Sequence, residues 1–167
     1  MQIQYFFYYL WISHLSYLYE ASVNLNYLTI FIGMKDKSST KKTNSSQKEV
    51  LIIDDDLHSN MLFEELIADH QIHIQSVLSG DQAIMQINKK NDYDLIILDI
   101  KLPKMNGIEI LEWLRSEEIK TPVIVCTAYA SEDMQKQCMK AGADEYITKP
   151  LEIDHFRKTV NKYIPLE

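Results

Sequence analysis

Residues 95–107 read LIILDIKLPKMNG. Leu95–Leu98 is apolar at every position and so has no solvent face, which is the pattern of a strand covered on both sides in the middle of a parallel sheet. Asp99 ends the run, and beyond the Pro103 to Gly107 punctuation Ile108, Leu111 and Leu114 return at helical spacing. The stretch is one βα unit with a carboxylate at the carboxyl end of its strand.

The same unit repeats in both directions. Towards the N-terminus, Val50–Ile53 (VLII) is a buried strand followed by a helix with Leu62, Phe63, Leu66 and Ile67 inward. Ile72–Val77 is a second strand, and Gly80 opens a helix with Ala83, Ile84 and Ile87 inward. Towards the C-terminus, Pro122–Cys126 (PVIVC) is the fourth strand, Ser131–Ala141 the fourth helix and Glu145–Ile147 a short fifth strand. Ile153, Phe156, Val160 and Tyr163 mark the inner face of a fifth helix. A helix after every strand forces parallel pairing through right-handed crossovers. The predicted class is therefore α/β, a doubly wound five-stranded parallel sheet with helices on both faces.

Composition narrows the function classes. The chain has 167 residues, 46% of them hydrophobic and 25% charged, and a net charge of −7, which suits a globular domain and excludes wholesale disorder. The acidic balance argues against direct nucleic-acid binding, which needs a basic face. Two cysteines, Cys126 and Cys138, form no C-x-x-C pair and exclude a disulfide-stapled secreted scaffold. Cys126 reads as core and Cys138 as packing. His58, His70, His73 and His155 show no metal-ligand pairing and are expected at or near the surface.

The charge is uneven along the chain. Residues 1–33 carry only Glu20, residues 34–48 sum to +4, and residues 49–167 to −10. The first piece holds ten of the 17 aromatic residues and no Lys or Arg, so it fits neither a secretory signal nor a transit peptide. Ser13, His14, Ser16, Glu20, Asn24 and Asn26 interrupt it as a membrane span. Three readings stay open: a membrane or interfacial anchor, a packing or partner arm, and translated upstream sequence with initiation at Met34. Mass spectrometry of the native N-terminus separates the last from the others. Residues 34–48 read as a flexible basic tether, with a lipid-binding polybasic patch as the alternative, and the folded domain is expected over 49–167.

Doubly wound sheets bind ligands outside the carboxyl ends of their strands. Strand one ends in Asp54, Asp55 and Asp56, strand three in Asp99, strand four in Thr127 and strand five in Thr148, Lys149 and Pro150. Each alone has a plain explanation as a helix cap or turn former. At the ends of four strands together they make a site. Clustered carboxylates repel one another and suit a hard divalent cation with oxygen ligands, of which Mg²⁺ keeps positions open for phosphate. Neither a G-x-x-x-x-G-K-[ST] loop nor a G-x-G-x-x-G turn is present to cradle a nucleotide. An Asp carboxylate is a competent nucleophile towards phosphorus, and a cation, an ammonium and a hydroxyl can neutralise the phosphoryl oxygens.

VLIIDDD, LIILDIKLPKMNG, VIVCTAYA and GADEYITKP, in that order and spacing, closely resemble the motifs of response-regulator receiver domains of two-component signalling. The resemblance covers residues 49–165. It implies the flavodoxin-like, chemotaxis-regulator fold with strand order 2-1-3-4-5. By position it implies Asp99 as phosphoacceptor, Asp55 as a direct Mg²⁺ ligand, Asp54 as an outer-sphere one and the Lys101 carbonyl as completing the metal shell. Thr127 and Lys149 would each bind a phosphoryl oxygen, Pro150 resembles the family's cis-proline, and Gly107 closes the motif as a structural residue. Tyr146 matches an aromatic switch position whose ring turns inward as Thr127 moves, with an ordinary half-buried strand tyrosine as the alternative. Lys101 and Tyr129 flank the approach of the hydrolytic water, and an aromatic there implies slow self-dephosphorylation.

The expected function is that of a stand-alone receiver, phosphorylated by a sensor histidine kinase and signalling through the helix-four, strand-five, helix-five face to a protein target. A phosphorelay intermediate serving a histidine phosphotransfer protein is the alternative within the class. A Mg²⁺-dependent phosphohydrolase is disfavoured, because Lys101 stands where a general acid Asp is wanted. The expected location is cytoplasmic, with membrane contact only through residues 1–33.

Overall fold

The computed structural model describes residues 47–69, 71–90 and 92–166. The expectations for residues 1–33, for the tether up to residue 46 and for His70 lie outside them. The elements are β1 (Lys48–Ile53), α1 (Leu57–Ile67), β2 (Ile72–Val77), α2 (Gly80–Lys89), β3 (Leu95–Leu98), α3 (Gly107–Ser116), β4 (Val123–Thr127), α4 (Glu132–Ala141), β5 (Glu145–Thr148) and α5 (Ile153–Val160). The five strands form one parallel sheet in the order β2-β1-β3-β4-β5. The doubly wound α/β prediction holds, strand order included.

Alternation along the strands divides the core in two, because successive side chains of a strand point to opposite faces. Leu51, Ile53, Ile96, Leu98, Val123 and Val125 pack on one face with Ala83, Ile87, Ile110, Leu111, Leu114 and Cys138 from α2, α3 and α4. Val50, Ile52, Leu95, Ile97, Ile124 and Cys126 pack on the other with Phe63, Ile67, Phe156 and Val160 from α1 and α5. Both cysteines are buried and free. Burial pushes both thiols up, away from the reactive thiolate form.

Several positions differ from the sequence reading. β1 starts at Lys48 rather than at the apolar run, because its ammonium bonds Asp94 at 2.8 Å and its backbone N–H reaches the Gln71 carbonyl. Leu62 is 40% exposed, since α1 turns Asn60, Phe63, Leu66 and Ile67 inward. Ile153, the first residue of α5, is 51% exposed beyond the cover of the sheet. Ile84, Ile108 and Tyr163 are half-buried, and Ile110, Thr159 and Ile164 take fully buried positions the periodicity did not assign.

Arg115, in the last turn of α3, clamps the edge of the sheet away from the carboxylates. Its guanidinium donates to the carbonyls of Ile119, Thr121 and Gly142 and to the Asp144 carboxylate. Gly142 ends α4 at φ 110°, a left-handed setting that favours glycine, and a Cβ there would lie 2.6 Å from Arg115 Cγ. Among the described residues no helix is long and apolar enough to cross a membrane.

Candidate functional site

Register brings the acidic residues together. Ile53 of β1 and Leu98 of β3 are paired, so the residues that follow them, Asp54 and Asp99, leave the sheet side by side. The Asp99 amide donates to the Ile53 carbonyl at 2.8 Å, which fixes the level of both. Asp54 and Asp99 are buried and Asp55 is exposed. One carboxylate oxygen from each lies within 4.8 Å of the other two. Asp56 stands apart from this trio as the N-cap of α1, accepting from the amides of His58 and Ser59.

Lys149 reaches the trio from the end of β5, where its amide donates to the Thr127 carbonyl at 2.8 Å. Its ammonium donates to Asp54 Oδ2 at 2.6 Å, Ser59 Oγ at 3.2 Å and Asp99 Oδ2 at 3.4 Å, and lies 5.7 Å from the centre of the Phe63 ring. Burial acts to lower the lysine's pKa, but the hydrogen bond and charge of Asp54, with the charge of Asp99, outweigh it and carry it upward. It is an ammonium at neutral pH. Burial pushes the Asp54 carboxyl up, against the pull of Lys149. The Lys149–Pro150 bond is cis, as the sequence led one to expect.

Thr127 is fully buried at the end of β4, and its Oγ1 accepts from the Tyr129 amide at 3.4 Å. Tyr146 is half-buried on β5, and its hydroxyl donates to the Tyr129 carbonyl. Lys101 is exposed, and its amide donates to Asp99 Oδ1 at 3.2 Å. Gly107 is buried beneath the loop that follows Asp99, where a Cβ would come within 2.5 Å of the Asp99 carbonyl oxygen. His58, His73 and His155 are exposed and stand outside the trio.

Two residues escaped the sequence reading. Ser59 bonds Lys149 as above, and Asn60, buried on the next position of α1, donates from Nδ2 to the Asp54 carbonyl at 2.9 Å. The one available signal was their place three and four residues after Asp56, where a helix cap puts its first turn against the strand end.

The donor set is three hard carboxylate oxygens on one edge, two of them buried, and it fits a small divalent cation such as Mg²⁺. An ammonium stands on its inner side.

Comparison with known proteins agrees with this geometry. Residues 50–161 match the response regulator receiver domain. The sporulation initiation phosphotransferase F of Bacillus subtilis (strain 168) is 34% identical over 120 residues, 72% of this chain and 96% of that protein. The transcriptional regulatory protein ZraR of Klebsiella oxytoca is 30% identical over 116 residues, which span 70% of this chain but only 26% of that regulator. Among solved structures, one from the CheX-CheY-BeF3-Mg+2 complex of Borrelia burgdorferi aligns with a TM-score of 0.64 at 27% identity, over 69% of this chain and 87% of that one. With the match covering most of the sheet and all five strand ends, this chain belongs to the response regulator receiver domain family.

Proposed function

We propose that the protein accepts a phosphoryl group on Asp99 from a phosphohistidine of a sensor kinase and signals by phosphorylation-dependent protein binding. The observation that carries this is the trio of Asp54, Asp55 and Asp99 oxygens within 4.8 Å, with the Lys149 ammonium 3.4 Å from Asp99 Oδ2. Asp99 Oδ forms the new bond to phosphorus as the P–N bond breaks. The electron pair returns to the imidazole, which leaves neutral when its other ring nitrogen carries a proton.

Asp54, Asp55 and Asp99, with the Lys101 carbonyl, would hold Mg²⁺, which when bound offsets negative charge on the transferring group. Lys149 supplies a second positive charge, and the Thr127 hydroxyl can donate to a phosphoryl oxygen because its oxygen, not its proton, serves Tyr129. Tyr129 is 46% exposed beside the site and shields the acyl phosphate, so decay is slow and quickens in Tyr129→Ala. Exposed Leu57, Leu62 and Ile153 on α1 and α5 favour a protein as donor over a small metabolite. A sensor kinase makes its phosphohistidine where ATP is, which puts the proposed location in the cytoplasm.

The test is to incubate the full chain with acetyl phosphate and follow intact mass. One phosphoryl group is expected, dependent on Mg²⁺ and absent in Asp99→Ala, and its absence from the folded wild-type chain would sink the proposal. Likeness to a phosphotransferase along 96% of that protein's length favours a second output, onward transfer from Asp99 to a histidine phosphotransfer protein. Loss of label from the phosphorylated chain to such a protein would identify it.

A further inference from the structure

The Lys149 ammonium has three N–H bonds and three acceptors: Asp54 Oδ2, Ser59 Oγ and Asp99 Oδ2. Given the phosphoryl transfer proposed above, two of these are claimed during the reaction. Asp54 belongs to the carboxylate trio that fits a cation, and Asp99 gives an oxygen to phosphorus. Ser59 alone keeps its role throughout. Its hydroxyl is also set in direction, because it donates to Asp56 Oδ2 at 2.9 Å. A hydroxyl has one proton. With that proton on Asp56, the oxygen faces Lys149 as an acceptor.

Asp56 is held in turn by the start of α1, accepting from the amides of His58 and Ser59. The helix cap, the serine and the lysine thus form one chain, Asp56 to Ser59 to Lys149, which runs beside the trio rather than through it.

We propose that Ser59, backed by Asp56, is a positioning residue that keeps the Lys149 ammonium in the site once Asp54 and Asp99 have turned to other partners. The hydroxyl acts through the lysine and touches no reacting atom. Its removal should slow phosphoryl transfer and leave the carboxylate trio as it was.

The test compares wild type, Ser59→Ala and Ser59→Thr as full chains. Three readouts are taken: phosphorylation rate with acetyl phosphate by intact mass, Mg²⁺ affinity by calorimetry without phosphodonor, and thermal midpoint. A hydrogen bond to a charged group is worth enough that Ser59→Ala should slow phosphorylation by about five- to tenfold. Ser59→Thr, which keeps the hydroxyl, should restore the rate, and Mg²⁺ affinity should stay within about twofold of wild type across the series. An unchanged rate in Ser59→Ala overturns the inference. So does a slow Ser59→Thr of wild-type stability, or an Mg²⁺ affinity that falls in step with the rate, which would place the serine's effect on the cation. A wild-type chain that takes up no phosphoryl group refutes the proposed function instead, and the two failures are told apart by that control.

Discussion

The Tyr146 hydroxyl on β5 donates to the Tyr129 carbonyl in the loop after β4, and the amide of the same Tyr129 donates to Thr127 Oγ1. Thr127 and Tyr146 are therefore joined through one residue, with no direct bond between their side chains required. A movement of the Thr127 hydroxyl would pull on the amide of Tyr129, and the Tyr129 carbonyl would carry the change to Tyr146.

Tyr146→Phe keeps the ring and removes the donor. We expect a loss of about 1 kcal/mol in urea unfolding, the usual worth of such a bond. Amide exchange in residues 128–131 should quicken, while phosphorylation at Asp99 persists and its effect on partner affinity shrinks. An unchanged exchange rate would show that the loop is held by other contacts.

A cation bound at the trio would compete with Lys149 for Asp54, whose carboxylate is 2.6 Å from the ammonium. Lys149→Ala should bind Mg²⁺ about tenfold more tightly than wild type in calorimetry, as a charge-assisted bond no longer has to be displaced. Without Mg²⁺ the variant should lose about 3 kcal/mol, because a buried carboxylate is left without its partner. Millimolar Mg²⁺ should return most of that in thermal melts. Equal Mg²⁺ affinity in both proteins would rule out the competition.

Gly107 is set by space. A Cβ there would lie 2.5 Å from the Asp99 carbonyl oxygen and 2.8 Å from Ile100 Cα, both backbone atoms that cannot rotate away. Gly107→Ala should cost about 1–3 kcal/mol by overpacking, although alanine is the better helix former. A variant as stable as wild type in urea would mean that the loop shifts freely.

Asp94 accepts from the Lys48 ammonium at 2.8 Å and the Glu49 amide at 2.9 Å, and so ties the start of β1 to the approach to β3. Burial acts upward on its pKa, but these bonds outweigh it and hold the carboxyl below the ordinary 3.8. A depressed folded pKa gives stability that is present above the unfolded value and lost as pH falls through the folded one. Asp94→Asn should therefore be less stable than wild type by about 0.5–1 kcal/mol at pH 7, a partly exposed pair being worth no more. The gap between the two melting temperatures should close below about pH 4, and a gap that persists there would assign it to shape rather than charge.

Most of the scaffold was legible because its signals are local. A run such as Leu95–Leu98 has one physical interpretation, Asp54, Asp99 and Lys149 are placed by the strands they follow, and Thr127 by the strand it ends. α1 was harder. Leu62 looks like core beside Phe63, yet Asn60 takes the inward place because the Asp54 carbonyl needs a donor, and polarity conceals that need in the sequence. Ile153 carries the right period but stands at the open end of α5, where periodicity says nothing about what lies opposite. Ser59 was invisible for a third reason, since its partner Lys149 is 90 residues away.

The Arg115 clamp has a mechanical side. It grips the Gly142 carbonyl at the end of α4, while Cys138, near that same end, is the helix's one fully buried residue. α4 is a beam pinned at its heel. Its ten residues make an arm of roughly 15 Å, so a tilt of ten degrees about the heel moves its toe, next to the loop that holds Tyr129, by about 2–3 Å. A small rearrangement around Thr127 that tilted α4 would thereby become a displacement as large as a side-chain contact, at the end of the helix where Glu132 and Asp133 are exposed.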